Sequence, residues 1–219
     1  MKLFHSPRRR RISLHIDGNG EVEVHAPVGY TEEEARALLL RHARIVERLK
    51  QRAAFLKKNR PELKDGVMLL VLGQGYPLVA SHRLVQFDGE RFMIPPGSPA
   101  ERLRMLEKIY RSLAARLIVP RVGILAARFG IPIGKVHING AVTRWGSCSA
   151  QGNLNFSWHL VRCPADLIDS VICHELAHRA ELNHSPAFYR QLSRLDPLYA
   201  EHRTALRRFA RANPWFGAE

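Results

Sequence analysis

The residues best equipped for chemistry lie between Val171 and Pro186, in the run V-I-C-H-E-L-A-H-R-A-E-L-N-H-S-P. His174, Glu175 and His178 form the pattern H-E-x-x-H, and His184 follows six residues after His178. A helix turns about 100° per residue, so His174 and His178 point about 40° apart, one turn from each other. Two imidazoles so placed can grip one metal ion, with Glu175 on the flank, near a water but not itself a ligand. A turn after the helix would bring His184 round as a third ligand. Three protein ligands leave a fourth position open, the arrangement of a catalytic zinc rather than a structural one. The bland alternative is a helix whose histidines cap or hydrogen-bond locally. With 11 His in 219 residues the pattern rarely arises by chance, and the added His184 makes it rarer still.

The flanking residues say how this group would be positioned. Pro164 opens the helix, and Asn183, which tolerates a left-handed conformation, is expected to end it. Ser185-Pro186 reads as an N-cap and first-turn proline of the next helix, so His184 belongs in a tight inter-helix turn. Cys173 points elsewhere on the helix and reads as a small buried hydrophobe. Upstream, Lys135–Ala141 and Asn153–Leu160 alternate as strands, with Val142–Ser149 leading to a turn at Gln151-Gly152. Downstream, Pro186–Leu195 and Leu198 to about Arg211 read as closing helices.

Ser98-Pro99-Ala100-Glu101 is a capping box with proline at the first helical position. Leu103, Leu106, Ile109, Tyr110 and Leu113 continue it at helical spacing; Pro120 is expected to interrupt or kink it, and Gly130 to end it. Earlier still, Arg10–Ala26 alternates on both sides of Asp17-Gly18-Asn19-Gly20, a hairpin signal. Thr31 with Glu34 caps a helix expected to run to about Lys58. Val67–Leu72 with Tyr76–Val79, and Arg83–Phe87 with Arg91–Ile94, read as further short strand pairs. Pro95-Pro96-Gly97 is the best linker, which predicts a hairpin-and-helix region over 1–96 and a catalytic domain over 97–219.

Composition is ordinary globular material, 46% hydrophobic and 25% charged. Three cysteines, Cys148, Cys163 and Cys173, without a C-x-x-C pair argue against a disulfide framework and for a reducing compartment. The basic N-terminus lacks an apolar run, and no stretch is long enough to span a bilayer, so a cytoplasmic protein without membrane contact is expected. The net charge of +14 favours acidic surfaces or phosphate backbones, so nucleic-acid contact through a basic surface is one reading. The basic residues are scattered, with Arg8–Arg11 the only tight run, and a solvated basic face is the plainer account.

T-R-W-G-S-C-S (Thr143–Ser149), N-L-N-F-S-W (Asn153–Trp158), H-E-L-A-H (His174–His178) and N-H-S-P-A-F (Asn183–Phe188) occur in this order. Together they resemble the YgjP-type metal-dependent hydrolase family, itself similar to the WLM and SprT-like metallopeptidases. The Arg8–Asp17 segment and Tyr76-Pro77-Leu78 extend the likeness over nearly the whole chain. The histidine spacing also resembles the metzincin pattern, except that Glu181 stands where that pattern has glycine. The resemblance implies an α+β fold with a zincin-like metallopeptidase domain built on an H-E-x-x-H active-site helix. It implies one Zn2+ per chain on His174, His178 and His184, with Glu175 as general base, acting on a protein or peptide. Should His184 not serve, Glu181 is the next ligand in line.

A carbonyl under attack needs a donor for its oxygen, and Arg144, His159 and Tyr189 are the candidates, each with a structural role as the plainer alternative. Trp145 and Trp158 read as core beneath the site, and the strand Asn153–Leu160 as a peptide-docking edge. The competing function is a nucleic-acid-associated protein, either with a structural metal or as a protease of DNA-bound proteins.

Overall fold

The computed structural model describes residues 1–7, 9–16, 21–58, 62–142 and 144–213. The chain divides into two compact units, Met1–Arg60 and Pro61–Glu219. Among the described residues it is a mixed structure of six α-helices and three small mixed sheets.

The first unit holds strands β1 (Lys2–His5), β2 (Ser13–Ile16) and β3 (Val22–Ala26), then helices α1 (Glu32–Arg41) and α2 (Ala43–Lys58). β2 and β3 pair antiparallel with Leu14 opposite Val24, as the alternation predicts; the turn expected at Asp17–Gly20 lies outside the described residues, as does Arg8. β1 adds to the other side of β3 in parallel. The Thr31 capping box forms, with Glu34 N–H donating to Thr31 Oγ1 at 3.2 Å and Thr31 N–H to Glu34 Oε2 at 2.7 Å. The single helix expected from there to Lys58 is two, because the backbone leaves helical geometry at His42 (φ −110°, ψ 28°).

The second unit begins with a four-stranded sheet in the order β4-β5-β7-β6. Its strands are β4 (Met68–Val71), β5 (Gln74–Ala80), β6 (Gln86–Phe87) and β7 (Phe92–Ile94). β4 and β5 join through a two-residue turn in which Leu72 (φ 50°) and Gly73 (φ 82°) are both left-handed, the turn that matches strand twist. The amides of that turn donate outward, Leu72 to the Val161 carbonyl at 2.8 Å and Gly73 to the Arg162 carbonyl at 3.1 Å. A Cβ on Gly73 would come within 2.9 Å of Pro164, so no larger residue fits this approach.

Helix α3 (Pro99–Arg128) follows. Ser98 and Glu101 close its capping box, and Leu106, Tyr110, Leu113 and Ile118 form its buried face. Pro120 does not interrupt it. The proline sits on the exposed side, so the Arg116 carbonyl it leaves without a helical donor faces solvent. Tyr110 donates to the Leu70 carbonyl at 2.9 Å, and Phe92 packs on Tyr110. The β4–β7 sheet therefore shares a core with α3. This is why the chain divides after Arg60 rather than at the proline-rich segment before Ser98.

The remaining elements surround the histidines. Strands β8 (Val136–Asn139), β9 (Gly146–Cys148) and β10 (Leu154–Ser157) form a sheet in the order β8-β10-β9. A 3₁₀ helix (Trp158–Arg162) leads to α4 (Ala165–Ala177), α5 (Pro186–Leu195) and α6 (Tyr199–Ala212). β10 is the central strand, parallel to β8 and antiparallel to β9, with Leu154 and Phe156 fully buried. Its edges are both occupied, so it cannot be the peptide-docking edge expected from its alternation; β8 and β9 are the outer strands. No helix among the described residues is long and apolar enough to cross a membrane.

Candidate metal centre and its cleft

Helix α4 is held by its apolar face. Leu167, Ile168, Ile172 and Leu176 are buried in the common core, and Cys173 joins them as a buried free thiol, pushed up to about 12 mainly by desolvation. The helix ends at Ala177, with His178 as its C-cap still near helical geometry (φ −64°, ψ −12°). This is earlier than Asn183, where the sequence led us to expect the end. The chain unwinds through short turns, with the amides of Arg179, Ala180 and Glu181 donating back to Leu176 or Ala177. Asn183 is not left-handed; its Oδ1 accepts from Ser185 N–H at 3.1 Å, a local side-chain turn. Ser185 Oγ then accepts from Phe188 N–H at 3.3 Å, and Pro186 opens α5. Between these two turns sits His184.

His174, His178 and His184 converge, their ligand atoms all within 4.8 Å of one another. The Nε2 atoms of His174 and His184 are 3.1 Å apart. Zinc–nitrogen bonds of about 2.0–2.1 Å at tetrahedral angles set ligand nitrogens about 3.3 Å apart, so the donor set fits a small divalent cation. His178 Nδ1 donates to the Glu181 carbonyl at 2.9 Å, which fixes the ring and leaves Nε2 for the ion. Glu181 thus enters the site through its backbone, and its carboxylate is not part of the cluster. The ring of Phe188, fully buried, lies 4.5–5.0 Å from each imidazole. Burial, then the charges of His178, His184 and Arg203, hold His174 down to about 4. His184 is also held below its ordinary value, by desolvation first and then by His178 and Arg203. At neutral pH both rings are therefore unprotonated, as metal ligation requires.

Glu175 is 5% exposed and lies beside β9. A Cβ on Gly146 would come within 2.7 Å of both Glu175 Cγ and Oε1. Desolvation pushes the carboxyl up to about 8, against the opposing pull of the Arg144 charge. Such a group exchanges a proton near neutrality, unlike an exposed carboxylate.

A family model described as YgjP-like, metallopeptidase domain, matches residues 10–209. The chain belongs to the YgjP-like metallopeptidase family. No curated protein and no solved structure matches it. Membership gives the general activity of a metal-dependent peptidase, a hydrolase.

In this YgjP-like chain His174 and His184, with Glu175, line a cleft of about 500 Å³. Arg144 and Tyr189 line it, with the Tyr189 ring 6.3 Å from that of His184. His159 does not: the chain leaves β10 at Ser157, and the 3₁₀ helix carries His159 into the core, 4% exposed and stacked on Trp158 at 3.5 Å. Trp158 is core, while Trp145 lines the cleft. Thr143 of the T-R-W-G-S-C-S run lies outside the described residues.

Sequence reasoning missed the contribution of α6, which supplies Tyr199, Arg203, Leu206 and Arg207 to the cleft. It also missed what fastens that helix. Buried Asp196 accepts from Ser170 Oγ of α4 at 2.5 Å and from His202 Nδ1 of α6 at 3.0 Å, tying the two helices together. The signal was present as repeated Tyr199-Arg203-Arg207 spacing, but on a terminal basic helix such spacing reads first as a solvated face.

Proposed function

We propose that this chain is a zinc peptidase that cleaves peptide bonds, with His174, His178 and His184 as the metal ligands and Glu175 as the general base. The observation that carries the reading is the meeting of three imidazoles next to the buried carboxyl of Glu175, which shares helix α4 with His174. Bound there, Zn2+ would acidify a water and polarise the substrate carbonyl. Glu175 takes the proton of the attacking water on a carboxylate oxygen and delivers it to the leaving amine nitrogen.

Arg144 and Tyr189, at the cleft wall, are the donors for the carbonyl oxygen as it gains charge. The outer edge of β9 offers backbone donors and acceptors to an extended substrate next to Glu175. Free thiols at Cys148, Cys163 and Cys173 suit a reducing compartment such as the cytoplasm. The rival, a nucleic-acid-associated protein with a structural metal, calls for four protein ligands, and the described residues gather three. Glu175→Gln tests the proposal: the variant keeps its metal and loses peptide hydrolysis by about a thousandfold or more. Full activity in that variant removes Glu175 from the role of base.

A further inference from the structure

The cleft is unequal in charge. Arg144, Arg203 and Arg207 line it, and among the described residues Glu175 is the one acidic lining group. Arg203 and Arg207 follow Tyr199 at four-residue spacing, so one face of α6 presents two guanidinium groups and a phenol to the cavity. Some arginines elsewhere have carboxylate partners, Arg36 with Glu32, Arg91 with Asp88, Arg111 with Glu107 and Arg121 with Asp169. Arg203 and Arg207 have no carboxylate partner among the described residues. Two adjacent like charges facing a cleft repel each other and gain from an anion placed between them. A guanidinium fork matches a carboxylate in shape, and the apolar walls at Val171, Leu192 and Leu206 fit the aliphatic part of a peptide.

We propose that the substrate is a peptide bearing a carboxylate, which Arg203 and Arg207 hold beside the three imidazoles. This rests on the peptidase reading and narrows it to acidic sequences or to free C-terminal ends.

Binding is measured on zinc-loaded Glu175→Gln protein by fluorescence anisotropy, with short labelled peptides. One carries central glutamates and an amidated end, the second has glutamines in their place, and the third has glutamines with a free C-terminus. The glutamate peptide or the free-ended peptide should bind about tenfold tighter than the neutral one, and which of the two does so identifies the carboxylate. Added Arg203→Gln and Arg207→Gln should bring that ratio towards one. Arg203→Lys with Arg207→Lys should restore part of it. Arg208→Gln, the same charge loss on α6 away from the cleft, should keep the ratio. Equal binding of all three peptides overturns the inference, as does an equal loss for charged and neutral peptides in the arginine variants. Displacement of the peptides by a single-stranded oligonucleotide at far lower concentration overturns it in favour of nucleic acid. Because turnover plays no part in this readout, the peptidase reading fails separately, if the unsubstituted zinc-loaded chain cleaves no peptide.

Discussion

Gly146 packs directly on Glu175: a Cβ at this strand position would stand 2.7 Å from the carboxylate oxygen Oε1. Strand β9, one of the two outer strands of the β8-β10-β9 sheet, thereby covers the buried carboxyl, and the smallest side chain is what permits it.

Gly146→Ala should therefore act on chemistry more than on metal. The added methyl forces Glu175 or β9 to shift, at a cost of about 1–3 kcal/mol in stability. A displacement near 1 Å at a catalytic group is worth roughly a hundredfold in rate. Peptide turnover should fall by about that factor while zinc content stays at the wild-type level. Unchanged turnover would mean that Glu175 does not work from the position it holds against β9.

Phe188 is the shared backing of the three imidazoles. Phe188→Ala leaves a cavity beneath all of them and should lower stability by about 3–5 kcal/mol. Zinc affinity should fall by about 10–100-fold through loss of ring orientation. Phe188→Leu should recover most of the stability and part of the affinity. Competition titration with a chromophoric chelator, alongside urea unfolding, separates the two effects.

His159 gives a pH dependence unconnected with the metal. Its burial, then the charges of Arg162 and Arg111, hold its proton affinity down to about 2, against an ordinary value of 6.5. The folded state keeps the ring neutral, whereas the unfolded chain takes up a proton below about pH 6.5. The stability involved is present above that pH and drains as pH falls, by up to about 1.4 kcal/mol per pH unit. His159→Phe, which retains a ring against Trp158, should flatten the decline in urea midpoint between about pH 6 and pH 4. An identical slope in wild type and variant would contradict this assignment.

Local chemistry made much of this fold readable. The Thr31–Glu34 and Ser98–Glu101 capping boxes and the Ser185-Pro186 helix start each need only neighbouring residues, and each forms as read. The histidine spacing likewise needs one helical turn and one bend. What escaped depends on distant partners. The strand read over Asn153–Leu160 forms over Leu154–Ser157, but whether such a strand is central or at an edge depends on β8 and β9. Pro120 looked like a break because the sequence does not reveal which side of the helix meets solvent. Arg203 and Arg207 became visible as cleft residues only once Asp196 had tied α6 to α4.

The central claim is that one divalent cation is held by His174, His178 and His184 together. Zinc stoichiometry and affinity of the purified chain and of His184→Ala test it most directly. The account predicts one tightly held zinc per wild-type chain and a large loss of affinity in the variant. A variant that binds zinc with wild-type stoichiometry and strength would contradict it, and would move the third ligand to another residue, with the Glu181 carboxylate first to be tried.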